Sequence, residues 1–161
     1  MRPSSSCVVD TSTIRHAAVC GASGFIGRYL CRELRRLGIE VTALNRRSQT
    51  GPWDHELLHD LDSAAKLTLP GGVDSIFHLA GFAHAQPNAT TDGRHRSITV
   101  NGTVRLLQAC PPTVQRFVYF SSVKAMGEST STSCIDETHE LRPSSAYGHA
   151  RLLAERHVLE N

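Results

Sequence analysis

The sequence is short of everything that would tie it to a membrane, a nucleic acid or a disulfide scaffold. No apolar run approaches the roughly 18 residues of a spanning helix. The formal net charge is only +2, and Lys and Arg form no patch of the kind a nucleic-acid partner requires. The five cysteines (Cys7, Cys20, Cys31, Cys110, Cys134) are odd in number, scattered and without a C-x-x-C pair, which suits a reducing cytoplasm. No internal repeat or low-complexity linker divides the chain, whose 161 residues are about one domain's worth. Residues 1–15 are polar, lack the apolar core of a signal peptide and are expected to form a disordered leader. His55 and His59 are four apart and could share a helix face as metal ligands. No third ligand of suitable spacing accompanies them, so no metal site is expected.

One stretch stands out against those absences: Val19-Cys20-Gly21-Ala22-Ser23-Gly24-Phe25-Ile26-Gly27. It follows the apolar Ala17, Ala18 and Val19 and leads into an amphipathic segment, so it reads as a strand-to-helix turn. Glycines at three-residue spacing meet three demands of a dinucleotide-binding turn. Gly21 lets the chain turn tightly, Gly24 lets the backbone approach a pyrophosphate, and Gly27 lets the helix pack closely on its strand. The free N–H groups and positive dipole end of the helix would then hold the phosphates.

Strands and helices alternate along the remainder. Strand one ends at Cys20, and the first helix carries Phe25, Ile26, Tyr29, Leu30, Leu34 and Leu37 on one face until Gly38 stops it. Strand two is Glu40 to Leu44, and a weak third strand lies near Leu57-Leu58-His59. A short helix is expected at Asp62–Leu67, then strand four from Val73 to Leu79, apolar enough to be buried on both faces. A helix from Gly93 to Cys110 is stopped by Pro111-Pro112, strand five runs from Arg116 to Phe120, and a last helix begins near Ser144. This order predicts an α/β fold, a Rossmann-like doubly wound parallel sheet of about five strands over residues 16–161.

The end of strand two bears on the cofactor. An acidic residue there would bind the adenosine ribose of NAD, but the sequence has Asn45-Arg46-Arg47. Two guanidiniums can pair with a 2′-phosphate, so NADP is favoured over NAD. Asp60, beside Leu61, either accepts from the adenine amino group or caps a helix. His78-Leu79-Ala80-Gly81 ends strand four, where small Ala80 and Gly81 let a cofactor pass close to the backbone.

Together with Asn101-Gly102-Thr103, Ser121-Ser122 and the helix opened by Tyr147, these motifs carry a family resemblance. From Ala17 to Asn161 the chain resembles the extended short-chain dehydrogenase/reductase superfamily, and within it the nucleotide-sugar epimerases and dehydratases typified by UDP-glucose 4-epimerase. Phe82-Ala83-His84 and the run from Ser121 to Glu128 look most like bacterial surface-polysaccharide members acting on UDP-sugars. The resemblance implies NAD(P)-dependent hydride transfer at sugar C4. Tyr147 would remove the proton from the 4-hydroxyl and Ser122 would orient that hydroxyl. Gly21, Ser23, Gly24, Phe25, Ile26, Gly27, Leu79, Ala80, Gly81 and Asn101 would line or support the cofactor site, with His84 near substrate. Arg151 stands where the family has lysine, and Met126 where it often has tyrosine. A phenol acting as base near neutrality needs its anion favoured by about three pKa units, roughly 4 kcal/mol, which a cation at i+4 helps supply.

The family usually needs about twice this length, so a C-terminal substrate lobe is expected to be absent. Two other readings remain open: a one-way NADPH-dependent reductase of a keto-sugar or other carbonyl, and a catalytically silent nucleotide-binding module. A cytoplasmic protein is expected, with a homodimer formed through the 93–110 and 144–161 helices.

Overall fold

The computed structural model describes residues 14–83, 89–127, 136 and 138–161. The strands are β1 (His16–Cys20), β2 (Glu40–Asn45), β3 (His55–Leu58), β4 (Ser75–His78) and β5 (Arg116–Tyr119). They form one sheet, all parallel, in the order β3-β2-β1-β4-β5. The first helix, α1 (Phe25–Arg36), crosses from β1 to β2. A helical run crosses from β4 to β5: α2 (Ala89–Arg94), a π-helical stretch His95–Asn101, then α3 (Gly102–Gln108). A 3₁₀ turn, Val123–Ala125, precedes the last helix, α4 (Ala146–Leu159). This is the doubly wound α/β sheet that the alternation predicts.

The central strands are buried on both faces, and their period of two sorts the core. Ala17 and Val19 of β1 join Val41 and Ala43 of β2 under Cys31 and Leu34 of α1. Ala18, Cys20, Leu44 and Ile76 join Leu61, Leu67, Leu69 and Leu106 on the opposite face. Each fully buried Val or Leu contributes about 1.5–3 kcal/mol. Burial pushes the Cys20 thiol up to about 12 and that of Cys31 up to about 11, so both behave as small apolar groups.

α1 presents a narrower face to the sheet than its apolar pattern suggests. Gly27, Cys31 and Leu34 are its buried residues, whereas Phe25, Ile26, Tyr29 and Leu37 are exposed. Glycine decides the face. A Cβ at Gly27 would collide with the Gly21 carbonyl and come within 2.8 Å of Ala22 Cα, so the helix touches its strand along the Gly27 line. Gly38, at φ +78°, ends the helix as expected, with Ile39 N–H donating to the Leu34 carbonyl at 3.0 Å.

Other expectations shift. Ile14 packs on the α1 side of the sheet and Arg15 N–H donates to Asp74 Oδ2 at 2.7 Å, so the sheet's support begins inside the expected leader. The third strand is His55–Leu58, earlier than expected, and His55 lies on that strand paired with Glu40 at 2.6 Å rather than on a helix face with His59. No helix forms at Asp62–Leu67. Asp60 organises a turn there, accepting from Asp62 N–H at its carboxylate and from Ser63 N–H at its carbonyl. Leu67 and Leu69 then enter the core at an extended spacing of two. The fourth strand is shorter than expected, and the helix before β5 begins at Ala89 rather than Gly93. Among the described residues no helix is long and apolar enough to cross a membrane, and no three His, Cys, Asp or Glu residues are placed to hold a metal.

His78 ties the sheet to the helical run. It is fully buried, and its Nε2 lies 2.9 Å from Thr103 Oγ1. Thr103 already donates its hydroxyl proton to the Thr99 carbonyl at 2.5 Å, so His78 must donate through Nε2–H. Burial, reinforced by the Arg151 charge, pushes its pKa down to about 3.

This packing makes two stability effects measurable. Gly27→Ala should destabilise the protein by at least about 2 kcal/mol, measured as a lowered urea midpoint, because helix and strand backbones must separate. Unfolded histidine takes a proton below about pH 6.5, while folded His78 stays neutral until about pH 3, so stability falls as pH drops through that window. This one residue should cost about 2 kcal/mol between pH 7 and pH 5. Urea unfolding of wild type and His78→Asn at both values isolates it; an equal pH response in the two would contradict a buried neutral imidazole.

Candidate active site

Connections leave β1 and β4 in opposite directions along the sheet, which opens a crevice at the carboxyl ends of these two strands. The structure has a cleft of about 590 Å³ there. Of the residues predicted for cofactor binding, Gly21, Ser23, Gly24, Asn45, Arg46, Asp60, Leu61, Leu79, Ala80 and Gly81 all line it.

The glycine turn has the geometry its spacing implied. Gly21 sits at φ +90°, and a Cβ there would lie 2.9 Å from the Ala80 nitrogen, so β1 and β4 ends meet backbone to backbone. Gly24 N–H donates to the Gly21 carbonyl at 3.0 Å, and a Cβ on Gly24 would stand 3.2 Å from that oxygen. Gly24 also caps α1 without any side-chain hydrogen bond, and the first turn has no acidic residue. The opening amides of Phe25, Ile26 and Gly27 therefore have neither intrahelical nor capping partners and carry the helix's positive end. That cradle suits a pyrophosphate. Phe25 and Ile26 would serve it through the backbone, since their side chains are exposed and outside the cleft wall.

Asn45, 3% exposed at the end of β2, accepts from Ser23 N–H at 3.2 Å and so fastens the glycine turn. Arg46 lines the cleft but is exposed, as is Arg47, and neither has a partner among the described residues. Asn101 is exposed at the end of the π-helical stretch and does not reach the cleft wall. His84 lies outside the described residues.

The catalytic candidates meet where β4, β5 and α4 converge. Ser145 caps α4 by accepting from Gly148 N–H at 3.1 Å, which fixes the helix start and puts half-buried Tyr147 in its first turn. Gly148 packs on the Lys124 carbonyl so closely that no Cβ fits, which docks the turn after Ser122 against Tyr147's helix. Ser122 Oγ accepts from Lys124 N–H at 3.3 Å, capping the 3₁₀ turn and leaving its hydroxyl proton to donate elsewhere. Neighbouring Ser121 Oγ is buried without a hydrogen-bond partner among the described residues.

Arg151, one turn after Tyr147, is only 5% exposed. Its Nη1 donates to Tyr119 Oη and to the Phe120 carbonyl, each at 3.1 Å, and its Nε has no partner among the described residues. The guanidinium lies 5.2 Å from the Tyr147 ring centroid and 5.7 Å from that of Tyr119. A Cβ on Gly81 would strike its Nη2 at 2.5 Å, so Arg151 covers the end of β4 as a flat plate. A cation fixed beside a phenol favours the phenolate. For Tyr119 the opposite influence wins, since burial raises its pKa against the pull of Arg151.

Two residues that pattern reading passed over complete this end. His95 is buried in the π-helical stretch, with ring centroids 5.7 Å from Tyr147 and 4.9 Å from Phe82, both edge-on. Burial lowers its pKa, opposed by a hydrogen bond with the Phe82 backbone. Tyr119 faces His78 and Arg151; β5's alternation with Phe117 was the available signal for it. His59, weighed above only as a metal ligand, is part of the cleft wall, as are Phe82 and Arg94.

Comparison with known proteins agrees with this geometry. Residues 17–160 match the NAD dependent epimerase/dehydratase family. The chain is 31% identical over 152 residues to a 3-beta-hydroxysteroid dehydrogenase of Mycolicibacterium neoaurum, covering 88% of this chain and 42% of that protein. It is 26% identical over 160 residues to the UDP-glucose 4-epimerase of Vibrio cholerae, covering 95% and 49% respectively. Among solved structures, MoeE5 in complex with UDP-glucuronic acid and NAD superposes with a TM-score of 0.77 at 33% identity, over 90% of this chain and 48% of MoeE5. The chain thus spans about half the length of the relatives it matches. On the match from Ala17 to Glu160, the chain belongs to the NAD dependent epimerase/dehydratase family.

Proposed function

We propose that this chain is the nucleotide-binding and catalytic half of an enzyme that oxidises a nucleotide-sugar at C4, in the manner of the epimerases and dehydratases, with NAD as cofactor. The observation that carries the reading is that Arg151, beside Tyr147, packs against Gly81 of the cleft wall, next to the Ala80 backbone on which the glycine turn rests. Nicotinamide, when bound, supplies the hydride acceptor. The chain's own side chains handle the proton. Tyr147, with the buried Arg151 guanidinium 5.2 Å from its ring centroid, takes it from the sugar 4-hydroxyl. Ser122, whose oxygen is engaged by Lys124 N–H, donates its free proton to that hydroxyl oxygen and orients it. The C4 alcohol would thereby become a ketone, its O–H proton passing to Tyr147 and the hydride of its C4–H bond leaving to the acceptor that the nicotinamide would supply.

UDP-sugar is the proposed substrate class because MoeE5 and the Vibrio cholerae relative bear such sugars in their names. NAD replaces the NADP expected from Arg46 and Arg47, since both guanidiniums are unanchored and MoeE5 carries NAD. A second reading, one-way oxidoreduction of a small alcohol or ketone, is favoured by the 31% identity to a steroid dehydrogenase.

Arg151 sets the expected rate. Its guanidinium is bonded to Tyr119 and Phe120 and packs against Gly81, whereas the lysine that the resemblance implies is a compact charge on a flexible stem. A displacement of about 1 Å in such a site costs on the order of 10²-fold. Joined to the C-terminal half of a UDP-sugar epimerase, the chain should turn over UDP-glucose slowly. Arg151→Lys should raise kcat at least tenfold, and Tyr147→Phe should abolish it in either background. Equal turnover with and without the Arg151→Lys substitution would show that arginine serves as well as lysine; net consumption of NADH with a ketone, and no epimerisation, would favour the second reading.

A further inference from the structure

A carboxylate outside the cleft wall holds the side-chain amide of Asn45. Asn45 Nδ2 donates to Glu56 Oε1 at 2.9 Å, while its Oδ1 accepts from Ser23 N–H at 3.2 Å. A carboxylate only accepts and a backbone N–H only donates, so one orientation of the amide satisfies both, and the carbonyl must point to the glycine turn. Glu56 itself is fixed by Ser48 Oγ at 2.7 Å and Gln49 N–H at 3.1 Å. Those donors, the Ser48 hydroxyl first, hold its carboxyl below the usual range, so it is ionised at neutral pH. Asn45 and Ser23 line the cleft and Glu56 does not. What the cleft receives at the end of β2 is therefore a carbonyl oxygen with a spare lone pair, an acceptor.

We propose that Glu56 is the residue that sets cofactor selectivity, by holding Asn45 so that the site accepts the donating 2′-hydroxyl of NAD and disfavours the 2′-phosphate of NADP, which has little to donate. The proposal rests on the nucleotide-binding reading above. The other guanidinium beside the turn is already committed: Arg28 donates to the Ser23 and Thr50 carbonyls and to Gln49 Oε1, and lies over Trp53. Asn45 thus stands in for the missing acidic residue, with its polarity imposed from β3.

Calorimetric titration of the 161-residue protein with NAD and with NADP tests this without any turnover. The wild type should bind NAD at least tenfold more tightly than NADP. Glu56→Leu, which frees the amide to turn its donor inward, should narrow that ratio at least fivefold, mainly by weakening NAD. Glu56→Gln keeps a carbonyl that can accept from Asn45 and should hold the ratio within about threefold of wild type. Should the leucine variant not fold, Glu56→Asp keeps the charge but shortens the reach, and should narrow the ratio as well. A purely structural Glu56 would weaken both nucleotides equally, and an unchanged ratio in the leucine or aspartate variant overturns the proposal. So does a wild type that prefers NADP. Failure of the wild type to bind either nucleotide overturns the nucleotide-binding reading itself, and this proposal with it.

Discussion

At Gly27 the backbone of α1 lies so close to the Gly21 carbonyl that only hydrogen fits between them. That contact fixes how α1 leaves the glycine turn, which of its residues face the sheet, and where its unpaired amides point. Gly21 in turn rests on the Ala80 backbone, and Gly81 on the Arg151 guanidinium. One chain of close approaches therefore runs from the first helix, across the carboxyl ends of β1 and β4, to the last helix. The glycine turn and the Arg151 guanidinium lie against successive residues of the β4 end because these backbone positions tolerate almost nothing larger than hydrogen.

Much of this was legible in the sequence, where the signals are local. Strand period, proline and glycine punctuation and the Gly21/Gly24/Gly27 spacing each depend on a few neighbouring residues, and they pointed to the parallel sheet and to much of the cleft wall. Failures came where distant packing overrules pattern. Phe25, Ile26 and Tyr29 complete an apolar stripe yet face outward, because the glycine line, not the stripe, is pressed to the sheet. Leu67 and Leu69 entered the core through an extended segment, so a helix at Asp62–Leu67 lost to burial of both. His95 escaped notice because a π-helical stretch does not keep the 3.6 period by which a helix face is read. Glu56 carried no sign of its link to Asn45, since that link exists only once β2 and β3 are paired.

Arg151 differs from the lysine that the family resemblance implies in shape and donor geometry and not in charge. Lysine would be a compact ammonium on a flexible stem, free to bond a ligand from above the sheet end. The guanidinium instead commits Nη1 to Tyr119 and Phe120 and lies over two aromatic rings. No carboxylate among the described residues pairs with it, so its burial is supported by carbonyl and phenol oxygens and ring faces alone. Such a cation strengthens the positive potential felt by Tyr147 and by His78, whose own protonation it opposes.

The links at Asn45 and at Arg151 also differ in how much chain must be gathered to close them. Ser23, Asn45 and Glu56 are linked by bonds spanning 22 and 11 residues, within a single β-α-β-β segment. Arg151 reaches Tyr119 and Phe120 across 32 and 31 residues, and Gly81 across more than twice that. Closing a loop some sixfold longer costs roughly 1.6 kcal/mol more in chain entropy. Closure is therefore graded: the Asn45 links join near neighbours in sequence, whereas the links of Arg151 must gather a much longer stretch of chain.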